Sequence, residues 1–118
     1  MRDFPWWSDA QKKLQEEASR FTDEVLMPLA EKLALKKEYP WAAMKEMRKL
    51  GWFGATIPKQ YGGRKEDWGV TGAAILLEEC ARAGECALLL ETSLIGATTQ
   101  ILHDGSEEQK NRDRKSVV

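Results

Sequence analysis

Residues 51–63 read GWFGATIPKQYGG, and their interpretation decides the fold. The stretch holds four glycines, one proline, Trp52, Phe53 and Tyr61. Connecting segments are usually polar and lie on the surface. This one is apolar enough to pack against something, and it separates two stretches with helical periodicity.

On its N-terminal side, Ser8 followed three residues later by Gln11 is a capping box. Ala10, Leu14, Ala18, Phe21, Val25 and Leu29 then recur every three or four residues, which predicts an amphipathic helix. Pro28 falls inside the pattern, so a kink or split is expected there. A second helix begins near Pro40, with Trp41, Met44, Met47 and Leu50 on one face and Gly51 as its C-terminal stop. On the other side of the stretch, Asp67 is the expected N-cap of a third helix over 68–83, ending at Gly84. A fourth, over about 85–102, reads ECALLLETSLIGATTQIL and is apolar or small nearly all round, which predicts a mostly buried helix. Ser106 and Gln109 form another capping box. No strand-like alternation or internal repeat occurs. The reading is an all-α domain, a bundle of five or six helices around a central buried one, with residues 1–118 as a single unit.

Composition narrows the function. Lys plus Arg is 18, Asp plus Glu is 19, and the net charge is -1; nucleic acid and anionic membrane are not expected partners. No apolar run reaches the ~20 residues that span a bilayer, and residues 1–8 lack the apolar core of a signal peptide. Cys80 and Cys86 are six apart on a helix and face different ways, so they read as reduced core residues of a cytoplasmic protein. With two Cys and one His there is no metal-ligand set.

Nor is there a self-sufficient catalytic constellation. His103 stands alone at a helix end beside Asp104. Glu78 and Glu79 are adjacent and diverge. Gly62-Gly63-Arg64 lacks the flanking pattern of a phosphate loop and reads as a tight turn. Glu91 is the one charged residue between Glu85 and His103. On residue pattern alone it lies on whatever sliver of the fourth helix meets solvent or another subunit; the sharper alternative is the polar end of a ligand pocket.

Four fragments, in order, resemble the N-terminal helical domain of the acyl-CoA dehydrogenase family. They are Leu50-Gly51-Trp52-Phe53-Gly54, Ile57-Pro58-Lys59-Gln60-Tyr61-Gly62-Gly63, Glu78-Glu79-Cys80-Ala81-Arg82-Ala83 and Gly105-Ser106-Glu107-Glu108-Gln109-Lys110. The resemblance covers about residues 8–111. It implies a module of an FAD-dependent enzyme that dehydrogenates an acyl-CoA thioester at its α,β carbons. In such enzymes FAD lies between two further domains, and the catalytic base and nearly all flavin contacts belong there. The implied role here is to wall the acyl pocket and to support subunit packing, as part of a homo-oligomer. No catalytic, cofactor-binding or metal residue is assigned in this chain. Ala87, Glu91, Thr92 and Ile95 share one side of the fourth helix and are the expected substrate-binding wall.

The pattern departs from the family at the end. Residues 113–118 match nothing in it, which implies a truncated or frame-shifted chain, or an isolated domain that binds no FAD by itself. A domain parted from its neighbours is also expected to self-associate, with Trp52, Phe53, Ile57 and Tyr61 as the exposed apolar surface. The competing readings are a stand-alone, non-catalytic helical interaction module and a piece of a related acyl-CoA oxidase or flavin monooxygenase.

Overall fold

A computed structural model describes residues 4–36, 38–84, 92 and 96–117. Among them every regular element is helical. Helix α1 spans Asp9–Phe21, α2 Met27–Lys36, α3 Trp41–Lys49, α4 Gly69–Cys80, α5 Ala97–Asp104 and α6 Glu107–Val117. The all-α reading holds. The expected central helix over 85–102 lies largely outside the described residues, and α5 forms its last part.

Helix α1 opens with the expected capping box. Ser8 N–H donates to Gln11 Oε1 at 3.0 Å, and Gln11 N–H donates to Ser8 Oγ at 3.2 Å. The same Gln11 donates through Nε2 to the Trp68 carbonyl at 3.1 Å, tying the start of α1 to the start of α4. Leu14 and Ala18 are fully buried. They pack against α4, where Gly72 permits the approach: a Cβ there would sit 2.4 Å from Trp68 Cβ and 3.3 Å from Leu14 Cδ2.

Pro28 splits the first helix in a specific way. The chain between α1 and α2, Thr22–Leu26, is a π turn, closed by Met27 N–H donating to the Thr22 carbonyl. A proline crowds the turn before it and donates nothing, and a single widened turn is a common way for a helix to absorb such an interruption. The widened turn also re-aims the apolar stripe, so Leu26 is buried in place of Val25. Beyond it, α2 has no fully buried residue.

Helix α3 differs from its expected face. Ala43 and Met47 are buried, whereas Trp41 is 69% exposed and lies against Tyr39 at a ring separation of 4.5 Å. Ala43 and Met47 are four apart, and that row points inward; Trp41 lies on another side. Gly51 ends the helix in the left-handed region, φ +76°, as its position predicts.

The stretch over 51–63 is core. Two short 3₁₀ turns, Trp52–Gly54 and Lys59–Tyr61, fold it back on itself. Arg64 N–H donates to the Gly54 carbonyl at 2.8 Å and Lys65 N–H to the Ile57 carbonyl at 3.0 Å, closing the loop. Trp52 is fully buried and meets Phe21 edge-on at 5.0 Å. Phe53, Ala55, Ile57 and Tyr61 are buried as well. The expectation that Trp52, Phe53, Ile57 and Tyr61 form an exposed surface is therefore overturned: this one chain covers them, with Phe21 against Trp52 and with Thr98, Ile101 and Leu102 beside Ile57 and Tyr61. Asp67 is not a helix cap either. Arg64 Nε donates to its Oδ2 at 2.9 Å and Lys59 Nζ lies 3.6 Å from its Oδ1, while Trp68 takes the position before α4.

Candidate functional site

Of the four expected wall residues, Thr92 is the one described, and it is exposed. Ala87, Glu91 and Ile95 lie outside the described residues, as does Cys86. Cys80 is fully buried, and Thr22 Oγ1 donates to its Sγ at 3.9 Å. His103 is exposed.

Downstream of that wall, α5 brings Thr98, Ile101 and Leu102 against the folded loop. With Ile57, Tyr61, Lys110 and Asp113 they enclose a cavity of about 20 Å³. Tyr61 Oη donates to Glu107 Oε2 at 2.8 Å, and Lys110 Nζ lies 3.4 Å from Glu107 Oε1. The Ser106–Gln109 capping box starts α6 so that Glu107 falls in its first turn, where a carboxylate is favoured. The hydrogen bond from Tyr61 holds the Glu107 carboxyl below its ordinary value of 4.5, with Lys110 adding to the effect. The same bond, with burial, raises the Tyr61 hydroxyl above 10.0.

The pH dependence follows from these directions. Glu107 is lowered in the folded state, so its contribution is present above pH 4.5 and is lost as pH falls through the lowered value. Tyr61 is raised, so its contribution is complete below pH 10 and is lost as pH rises through the raised value. Tyr61→Phe is expected to lower stability most in the neutral region, where both contributions are present, and so to flatten both the acid and the alkaline flank of the stability profile. Urea midpoints measured across pH check this; flanks identical to the parent's would show that the bond carries no linkage.

A second polar cluster pins the π turn to the end of α4. Arg82 Nη1 donates to Asp23 Oδ1 at 2.7 Å, and its Nη2 reaches the Ser19 carbonyl at 3.2 Å and Glu79 Oε2 at 3.2 Å. Glu79 accepts from Gln15 Nε2 at 2.8 Å through its other oxygen. Asp23, first among its partners, holds the Arg82 guanidinium firmly charged. This is a structural brace.

Among the described residues the arrangement thus offers a helical scaffold and no reacting pair. Among the described residues no group of three or more His, Cys, Asp or Glu could hold a metal, and no helix is long and apolar enough to cross a membrane. The cavity at Tyr61 has room for about one water, and Arg64 is engaged by Asp67 and stacked 4.2 Å over Trp68. These residues do not fit a dinucleotide flavin.

The polar members of this site escaped the sequence reading because the partners are remote: Tyr61 and Glu107 are 46 residues apart. The available signal was that Tyr61, Arg82 and Glu107 each sit inside one of the four ordered fragments.

An all-helical scaffold domain with a folded aromatic loop at its centre is the class these features define. A match to the acyl-CoA dehydrogenase N-terminal domain spans residues 8–113, and the chain belongs to that family. It is 35% identical over 102 residues to the glutaryl-CoA dehydrogenase of Desulfococcus multivorans, covering 84% of this chain and 26% of that protein. It is 35% identical over 114 residues to a 3-sulfinopropanoyl-CoA desulfinase of Cupriavidus necator, covering 94% and 28%. To a probable medium-chain specific acyl-CoA dehydrogenase of Caenorhabditis briggsae, which is mitochondrial, it is 32% identical over 108 residues, covering 89% and 25%. The chain spans about a quarter of the length of these curated relatives.

Proposed function

We propose that these 118 residues, as one domain, act as the N-terminal scaffold of an FAD-dependent enzyme that dehydrogenates an acyl-CoA thioester. The family match over 8–113 carries the reading. Support comes from the loop at 51–63, whose apolar side chains are folded inward in a conformation this domain sets by itself. The flavin would accept the hydride in the complete enzyme and be held there by other segments. This chain's contribution is shape: α5 and the residues before it wall the acyl pocket, with Ala87, Glu91, Thr92 and Ile95 on the lining side. The working location is the cytoplasm, and the assembly a homo-oligomer.

The relatives' names differ in reaction and share a CoA thioester, so substrate class is the firmer part of the reading and dehydrogenation the part to test. A full-length enzyme carrying this domain should reduce an artificial electron acceptor with an acyl-CoA. Release of sulfite from 3-sulfinopropanoyl-CoA without acceptor reduction would favour the desulfinase-like alternative.

Ala87→Phe in that enzyme is expected to shorten the accepted acyl chain. A packed wall absorbs extra volume only with strain, commonly about 1–3 kcal/mol, and about 1.4 kcal/mol is a tenfold change. Longer substrates should therefore lose roughly tenfold in kcat/KM while the shortest are spared. An unchanged chain-length profile would move the pocket wall elsewhere.

A further inference from the structure

Helix α6 is bound to the rest of the chain by very little. Its sequence, EEQKNRDRKSV, is polar in all but the last residue, and none of the side chains over 107–113 is buried. It meets chiefly α5 and the short turn Lys59–Tyr61. Its polar groups find their partners within the helix and its cap. Lys110 Nζ lies 3.4 Å from Glu107 Oε1, and Asn111 Nδ2 donates to the Glu107 carbonyl at 2.8 Å. Ser106 and Gln109 cap the first turn. Among the described residues one side-chain hydrogen bond leaves this set, the one that Tyr61 Oη donates to Glu107 Oε2 at 2.8 Å.

The bed beneath it is of another kind. Ile57, Tyr61 and Thr98 are buried, and with Ile101 and Leu102 they form the small hollow that Lys110 and Asp113 line from α6. Helix α5 is closed before α6 starts: Gly105 N–H donates to the Ile101 carbonyl at 2.9 Å, and a Cβ at Gly105 would lie 2.4 Å from that oxygen. Each helix therefore has its own end. A helix that buries no side chain and keeps its cap and ion pairs internal gives up few contacts when it moves off whole. We infer that α6 is a strap that lifts from the domain as one unit, latched by the single Tyr61–Glu107 bond. Lifting it uncovers Ile57, Ile101 and Leu102 and leaves α1 and α4 packed on each other.

Native-state hydrogen exchange of the 118-residue chain at neutral pH tests it. The amides of Lys110, Asn111, Arg112 and Asp113 are expected to share one opening equilibrium, about tenfold or more above that of the α1 and α4 amides. Low urea should change it little, because little surface is exposed. Tyr61→Phe and Glu107→Ala should each raise this opening about tenfold, for all four amides alike. The double variant should open no more than either single one, since both remove the same bond. Glu107 is exposed, which keeps its truncation clear of the core. If the four amides open only together with α1 and α4, the strap is overturned and α6 belongs to the global unit. Exchange that rises steadily toward Asp113, with Lys110 unmoved in both variants, also overturns it, because that is fraying from the end. A double variant whose effect is the product of the single ones overturns the latch.

Discussion

Gly63→Ala is expected to lower stability by about 3 kcal/mol or more, beyond the usual cost of a small overpacking change. A Cβ at Gly63 would lie 1.9 Å from the Ile57 carbonyl oxygen, 2.4 Å from its carbon and 2.6 Å from Ile57 Cβ. Two of those three atoms are backbone, so no rotamer change relieves the overlap; the loop itself must open. Opening it breaks the bond from Lys65 N–H to the same Ile57 carbonyl and disturbs the turn in which Gly63 N–H donates to the Pro58 carbonyl at 3.1 Å. Ile57 and Tyr61 would then lose their places in the interior. Gly51→Ala is the control. Its backbone is left-handed, φ +76°, but the nearest atom to a new Cβ is Arg64 Cγ at 3.9 Å, so its cost is the conformational one alone, about 1–2 kcal/mol. The ranking, Gly63 well above Gly51, is read from thermal unfolding, where about 3 kcal/mol corresponds to a fall in Tm of roughly 10 °C or more. Equal costs at the two positions would mean that the loop relaxes freely and is not a fixed part of the core.

Features governed by a few adjacent residues were legible in the sequence. The capping boxes at Ser8 and Ser106 fix their own donors and acceptors within one turn, and both form as read. Gly51 was legible for the same reason, since a helix end followed by glycine has few other conformations. The apolar character of residues 51–63 announced burial, but it did not say what would cover them. That depends on Phe21, Thr98, Ile101 and Leu102, which lie far away in the chain, so the local pattern points to a missing neighbour where the domain itself covers the loop. Asp67 was misread because a good capping residue is also a good ion-pair acceptor, and Arg64 and Lys59 decide the competition. The Tyr61–Glu107 bond and the Arg82 brace are long-range pairings, for which local periodicity carries no information. The expected wall on the fourth helix stands as a proposal, resting on helical spacing and the family resemblance.

Trp52 carries the other large expected effect, and two substitutions there separate packing from polarity. Its side chain is fully buried and edge-on to Phe21, so Trp52→Ala removes one of the largest side chains in the interior. Such truncations cost about 3–5 kcal/mol, a large share of the 5–15 kcal/mol typical of a whole domain. Yet the indole Nε1–H has no acceptor among the described residues, and an unpaired buried donor costs about 1–3 kcal/mol. Trp52→Phe deletes that donor together with part of the ring. The lost packing and the removed polar penalty are similar in size and opposite in sign, so this variant should fall within about 1 kcal/mol of the parent. Urea unfolding of the three proteins decides the matter. If Trp52→Phe costs nearly as much as Trp52→Ala, ring volume dominates and Nε1 is satisfied by solvent. If it is neutral or stabilising, the indole nitrogen is a standing penalty in this core, carried because only the larger ring fills the space between α1 and the folded loop.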